Sequence, residues 1–263
     1  MKDDIEMFLQ ETKFCDFNNH EIQKLSREIT KNYSNEKDKT ITLFYWVRDN
    51  ILYRVGLWRK TASETLREGE GTCTNKSNLF VAFLRSIGIR AGYGVMKVYG
   101  RRYFGPIATP MLKKFVGERS THVYTLVYLD NKWLRCDPSA DKELCESTSY
   151  FNPTTKLVEW DGIEDAPLNL DEKDIISDDF PLANIDEWFI KKPRHVKGLP
   201  LKIANIYIKF ARKNREKVAN ASELESLFKT WLRINRPLYF YLFSILSFYQ
   251  DLKLKIVKNG KNS

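Results

Sequence analysis

Apolar residues change their spacing twice along the chain. In the first third they fall at helical intervals. Asp16-Phe17-Asn18-Asn19 reads as a cap ahead of a helix over His20–Lys31, and Asp38–Asn50 continues with Ile41, Leu43, Phe44, Trp46 and Val47. Thr61-Ala62-Ser63-Glu64 has the spacing of a capping box before a short helix. Gly69-Glu70-Gly71-Thr72 then interrupts the pattern, and a helix follows from Cys73 to about Ile87. Its apolar side carries Leu79, Phe80, Phe83, Leu84 and Ile87, and Gly88 is placed to end it.

The period then drops to two. Ile89–Tyr99 reads as a strand, and Gly100–Arg119 as a long Gly/Pro/basic loop. Thr121–Leu129 and Lys132–Asp137 read as two strands joined by the turn signal Asp130-Asn131. Gly92-Tyr93-Gly94 lacks the rest of a dinucleotide fingerprint and leads into no helix. Glu159–Glu187 holds eleven acidic residues against one Lys and reads as a surface wrap. Helical spacing returns near 200–218, 222–235 and 237–256. Helices, then strands, then helices favour an α+β fold with an antiparallel sheet over alternating βαβ units.

Composition narrows the class. The 263 residues are 43% hydrophobic, 29% charged and 13% aromatic, which fits a chain with a sizeable core and excludes disorder. Four Cys, at 15, 73, 136 and 145, form no CxxC, so neither a disulfide scaffold nor a structural zinc site is expected. The first residues are charged and lack an apolar secretory region, so the expected location is the cytoplasm.

The net charge of +9 is unevenly spread. Residues 190–263 hold 17 Lys/Arg and 4 Asp/Glu, whereas residues 1–189 hold 26 and 30. This divides the chain into a body over 1–198 and a basic helical appendage over 199–263. Leu238–Tyr249 is apolar nearly all round, which suggests burial against other helices or a second copy in a homo-oligomer. An acidic membrane surface is a weaker candidate partner for these helices, and nucleic acid the weakest, because no nucleic-acid motif accompanies the charge.

Three residues carry candidate chemistry. Cys73 sits at the first turn of its helix, where unpaired N–H groups and the positive end of the dipole favour a thiolate. His122 opens a strand of alternating pattern. If Asp130-Asn131 is a two-residue turn, Tyr124 pairs with Asp137. Asp137 then lies on the same face as His122 and diagonal to it, within reach of its side chain. Cys136 points to the opposite face as core. A thiolate attacks a carbonyl, an imidazole pairs with it and moves protons, and a carboxylate orients the imidazole.

The segment from Glu68 to Ile89, with Gly71-Thr72-Cys73 and Leu84-Arg85-Ser86-Ile87-Gly88-Ile89, resembles the nucleophile helix of the transglutaminase-like superfamily. Thr121-His122-Val123-Tyr124 resembles that family's His strand. Lys132-Trp133-Leu134-Arg135-Cys136-Asp137-Pro138 resembles its Trp…Asp-Pro strand, and Phe44–Tyr53 its lead-in helix. The resemblance covers about residues 5–140 and is to members of the microbial type. It implies a papain-like α+β core with Cys73 as nucleophile, His122 as general base and acid, and Asp137 as orienting carboxylate.

The implied activity is acyl transfer on a peptide or protein amide through a thioester. Hydrolysis of the peptidase or amidase type is favoured over protein-glutamine transamidation. A non-catalytic binding module on the same fold is the rival. No calcium-loop pattern occurs, so the sequence calls for no metal or other cofactor. Trp58 and Tyr53 are candidates for a second oxyanion donor, though packing is the ordinary role of each.

Overall fold

Side-chain caps fix the helix starts that the sequence marks. Asn19 accepts from the Glu21 N–H ahead of α1 (His20–Thr30), and Asn35 accepts from the Asp38 N–H ahead of α2 (Glu36–Asn50). Thr61 and Glu64 form a reciprocal capping box at α3 (Ala62–Glu68). The computed structural model describes residues 5–56, 59–103, 110–148, 157–168, 170–191, 198–214 and 218–259.

The helix α4 (Cys73–Ser86) lies at the centre, and every residue from Cys73 to Arg85 is buried. Leu79, Phe80, Phe83 and Leu84 have no exposed surface. Burial of each contributes about 1.5–3 kcal/mol. Around α4 stand α1, α2 and α3 on one side and an antiparallel sheet on the other. The sheet strands are β3 (Ala91–Tyr99), β4 (Arg119–Leu129), β5 (Lys132–Cys136) and β6 (Ile175–Leu182), ordered β5-β4-β3-β6. A separate two-stranded parallel pair joins β1 (Leu52–Tyr53) to β2 (Glu70–Gly71), with Tyr53 opposite Gly71. The fold is α+β.

The β4–β5 hairpin has the expected register. Leu129 faces Lys132, Tyr128 faces Trp133 and Val127 faces Leu134. Asp130 and Asn131 have φ of 48° and 63°, the left-handed values that a two-residue hairpin turn needs. Cys136 is buried in the main core with Val127 and Leu134.

Two expectations need correction. The acidic stretch does not only wrap the surface, because Ile175–Leu182 completes the sheet as an edge strand against β3. Its Pro181 and two acids, Asp178 and Asp179, obscure a strand pattern, yet an edge tolerates both, since one side of its backbone needs no strand partner. The Gly100–Arg119 stretch carries two single helical turns, at Gly100–Tyr103 and Pro110–Lys113, and its last residue already opens β4. Its residues 104–109 lie outside the described residues.

After α5 (Lys142–Thr148) and α6 (Asp186–Ile190), three helices close the chain: α7 (Leu199–Asn214), α8 (Ala221–Asn235) and α9 (Pro237–Asn259). They share a second core of Ile203, Tyr207, Phe210, Leu224, Phe228 and Phe243, into which Met111 and Leu112 pack. The chain covers only one side of α9. Tyr241, Ile245, Phe248, Tyr249 and Ile256 are exposed on the other. Among the described residues no helix is long and apolar enough to cross a membrane.

Candidate active site

A tight corner delivers Cys73. Gly69 ends α3 at φ 64°, a left-handed conformation suited to glycine. Gly71 faces the first turn of α4, and a Cβ there would lie 2.7 Å from the Asn75 Cβ. Thr72 caps α4: its N–H donates to Asn75 Oδ1 at 3.1 Å, and the Asn75 N–H returns to Thr72 Oγ1 at 3.4 Å. Cys73 is therefore the first helical residue. Its backbone N–H belongs to the turn that has no acceptor within the helix.

Hydrogen bonds staple α4 to β4 beside it. Ser77 Oγ donates to the Val123 carbonyl at 3.1 Å, and Thr125 Oγ1 donates to the Ser77 carbonyl at 3.3 Å. This places Cys73 beside His122, close enough for the charge of the ring to act on the thiol. His122 is 1% exposed and Cys73 is 7% exposed. His122 Nε2 lies 2.8 Å from Asp137 Oδ2, and Asp137 Oδ1 accepts the Ser139 N–H at 3.0 Å. An ionised carboxylate only accepts, so Nε2 carries the proton in that bond, and Nδ1 is the ring nitrogen that remains for other partners. The three residues singled out in the sequence come together.

Their charges hold one another. Burial alone would push the Cys73 thiol up, but the His122 charge, with the Val123 N–H, outweighs it and brings the thiol below its ordinary value. Burial acts to lower His122, yet the Asp137 carboxylate and Cys73 hold it up at about 10. Burial would raise Asp137, and the His122 charge and the Ser139 bonds overcome it and lower it. At the other cysteines burial outweighs the nearby groups. Burial raises Cys15 to about 11, Cys145 to about 12 and Cys136 well above its ordinary value. The arrangement favours a thiolate–imidazolium pair over the neutral thiol and imidazole.

Sequence reasoning missed three contributors. The Tyr103 hydroxyl lies 2.8 Å from His122 Nδ1. Lys76, one turn beyond Cys73, is fully buried, and its Nζ donates to the carbonyls of Arg48 at 3.2 Å and Ile51 at 2.5 Å. Burial lowers it to about 8, partly offset by Asp141 and Asp137. The helix α7 forms one wall of a cavity of about 470 Å³ that reaches Cys73. The candidate oxyanion donor Tyr53 gives its N–H to Asp141 Oδ2 at 2.7 Å, and its side chain lines that cavity. Trp58 lies outside the described residues. Among the described residues no three His, Cys, Asp or Glu side chains converge to hold a metal.

No curated protein matches the chain. Among solved structures, a candidate cysteine protease from Cytophaga hutchinsonii is 21% identical with a TM-score of 0.42, covering 52% of this chain and 42% of that one. A candidate protease from Parabacteroides distasonis is 14% identical with a TM-score of 0.35, covering 52% and 26%. The chain thus spans less than half the length of either. The model of the transglutaminase-like superfamily matches residues 23–138. That segment includes the α4 start, the His122 strand and Asp137, and it belongs to the transglutaminase-like superfamily.

Proposed function

We propose that the protein is a cysteine-dependent acyl-transfer enzyme that hydrolyses an amide bond of a peptide or protein. One observation carries this reading: His122 is bonded to Asp137 and stands beside Cys73, with the thiol held down and the imidazole held up. The Cys73 thiolate attacks the carbonyl carbon, forming a C–S bond while the π pair moves to oxygen. The Cys73 N–H, at the positive end of α4, is the donor placed for that oxyanion. Collapse breaks the C–N bond, and the His122 imidazolium gives its proton to the leaving amine. Water then attacks the thioester, His122 accepts a proton from it, and the C–S bond breaks to release the acid. Asp137 keeps the ring oriented and offsets its charge throughout. This chemistry needs a free thiol and fits a reducing compartment such as the cytoplasm.

Labelling with iodoacetamide across pH, read at each Cys by peptide mass, tests the nucleophile. Cys73 should label well below pH 7, faster than Cys15, Cys136 and Cys145, and lose that advantage in His122→Ala. Labelling of Cys73 no faster than Cys15 would overturn the reading. Acylating Cys73 with an activated ester and adding millimolar cadaverine separates the two acceptors. Free acid is the expected product, and predominance of the amide would point to transamidation.

A further inference from the structure

The cavity beside Cys73 is larger than a thiol needs, and its volume of about 470 Å³ is in the range of small-molecule sites. Its walls are chemically one-sided. Leu201, Ala204 and Ile208, spaced three and four residues apart, present one side of α7 to it. Leu112, Phe115 and Val116 also line it, as do Val55, Tyr53, Thr72 and Cys73. Arg119 is the one charged side chain among the described lining residues, which include no carboxylate.

The apolar wall is also held in place. Asn205 accepts the Val55 N–H at 3.0 Å and donates to the Val55 carbonyl at 2.9 Å. Arg212 donates to the Tyr53 carbonyl at 3.0 Å. These bonds tie α7 to the strand segment that borders the nucleophile, so the space is formed without substrate.

We propose that this cavity receives a large apolar group on the acyl side of the substrate, so that the scissile carbonyl reaches Cys73 only when that group is seated. The inference rests on Cys73 as nucleophile and adds the substrate class. The shared chemistry is an apolar acyl group. It can come from a straight alkyl chain or from an amino acid with an apolar side chain. A cationic group on the acyl side is disfavoured, because the lining offers it Arg119 and no carboxylate.

Two series of 4-nitrophenyl esters test this on the full chain. One runs from acetyl through butanoyl to hexanoyl. The other comprises N-acetyl glycyl, alanyl, leucyl, phenylalanyl and lysyl esters. Nitrophenolate release and the mass of the Cys73 adduct give the acylation rate, corrected for uncatalysed hydrolysis. A buried methylene is worth up to about fourfold, so hexanoyl should exceed acetyl by about tenfold or more. Leucyl and phenylalanyl should exceed glycyl and lysyl by a similar factor if the source is a peptide. A rise in the alkyl series alone identifies a fatty acyl source.

Ala204→Phe fills the space and should bring the hexanoyl-to-acetyl ratio to within about twofold. Leu201→Ala enlarges it and should move the preference towards longer groups, which guards against a misfolded first variant. Flat rates in both series, with acetyl still acylating Cys73, overturn the pocket assignment and leave the nucleophile standing. Unchanged ratios in both variants overturn it as well. No adduct from any ester, together with ordinary iodoacetamide labelling at Cys73, overturns the nucleophile reading and the pocket assignment with it.

Discussion

Arg212 of α7 reaches 2.6 Å from Asp141, and both side chains are almost wholly buried, at 8% and 1% exposure. Asp141 also accepts the N–H groups of Tyr53 and Leu144, at 2.7 and 2.9 Å. A helix of the basic C-terminal segment is therefore keyed into the segment that borders Cys73. Removing one partner of such a pair leaves a buried charge alone, at a cost of about 3–5 kcal/mol. Arg212→Met should lower the unfolding free energy by about that much in urea titration. Adding Asp141→Asn should restore part of it, since the charge goes while an acceptor oxygen remains for the backbone N–H groups.

The Tyr103 hydroxyl and the Cys73 thiol compete for one imidazole nitrogen. Burial, with Asp137 and Cys73 nearby, raises Tyr103 well above its ordinary value, so it stays a neutral hydroxyl. A hydroxyl that accepts from the Nδ1–H draws the proton away from the thiolate. Tyr103→Phe leaves the sulfur as sole acceptor. A hydrogen bond contributes about 0.5–1.5 kcal/mol net, so the pH midpoint of Cys73 alkylation should fall by roughly 0.5–1 unit. A rise in that midpoint would instead make the tyrosine a support of the ion pair.

Gly71 tests how closely the corner must fit. A methyl group there meets Asn75 Cβ at 2.7 Å and Thr65 Cγ2 at 3.3 Å, so the first turn of α4 must shift. Overpacking of this kind costs about 1–3 kcal/mol. Gly71→Ala should lower stability by that amount in thermal or urea unfolding. It should also slow Cys73 alkylation below pH 7, because the shifted turn carries the thiol away from His122. Unaltered labelling with lowered stability would confine the role of Gly71 to packing.

What the sequence made legible was short in range. The parity that puts Asp137 on the His122 face follows from one turn, Asp130-Asn131, and from alternation along two strands. The Cys73 environment follows from a capped helix start eleven residues after Thr61-Ala62-Ser63-Glu64 opens α3. What stayed hidden depends on distant partners. Tyr103 lies in a stretch without periodicity and meets His122 only through the fold. Arg212 and Asp141 are 71 residues apart. The edge strand β6 is masked by its own acids and Pro181, which an edge permits and a central strand does not.

His122 sets a pH dependence of stability whose sign can be worked out. Burial opposes its charge, but Asp137 and Cys73 raise it from the ordinary value near 6.5 to about 10. The folded state then holds a proton that the unfolded chain releases between these values. The stabilising contribution is complete below about pH 6.5 and fades as pH rises towards 10. Cys73 runs the other way, because its lowered thiol favours the folded state as pH rises. The test therefore belongs in a Cys73→Ala background, where Asp137 alone raises His122 and the upper edge of the window falls below 10. Lys76, also shifted, is present in both proteins and cancels to first order. Urea unfolding of Cys73→Ala with and without His122→Gln, at pH 6, 7.5 and 9, should show the largest difference at pH 6 and a steadily smaller one above. A difference that grows from pH 6 to 9 would mean that the fold buries a neutral imidazole once the thiol is gone, so that Asp137 by itself does not keep the ring charged.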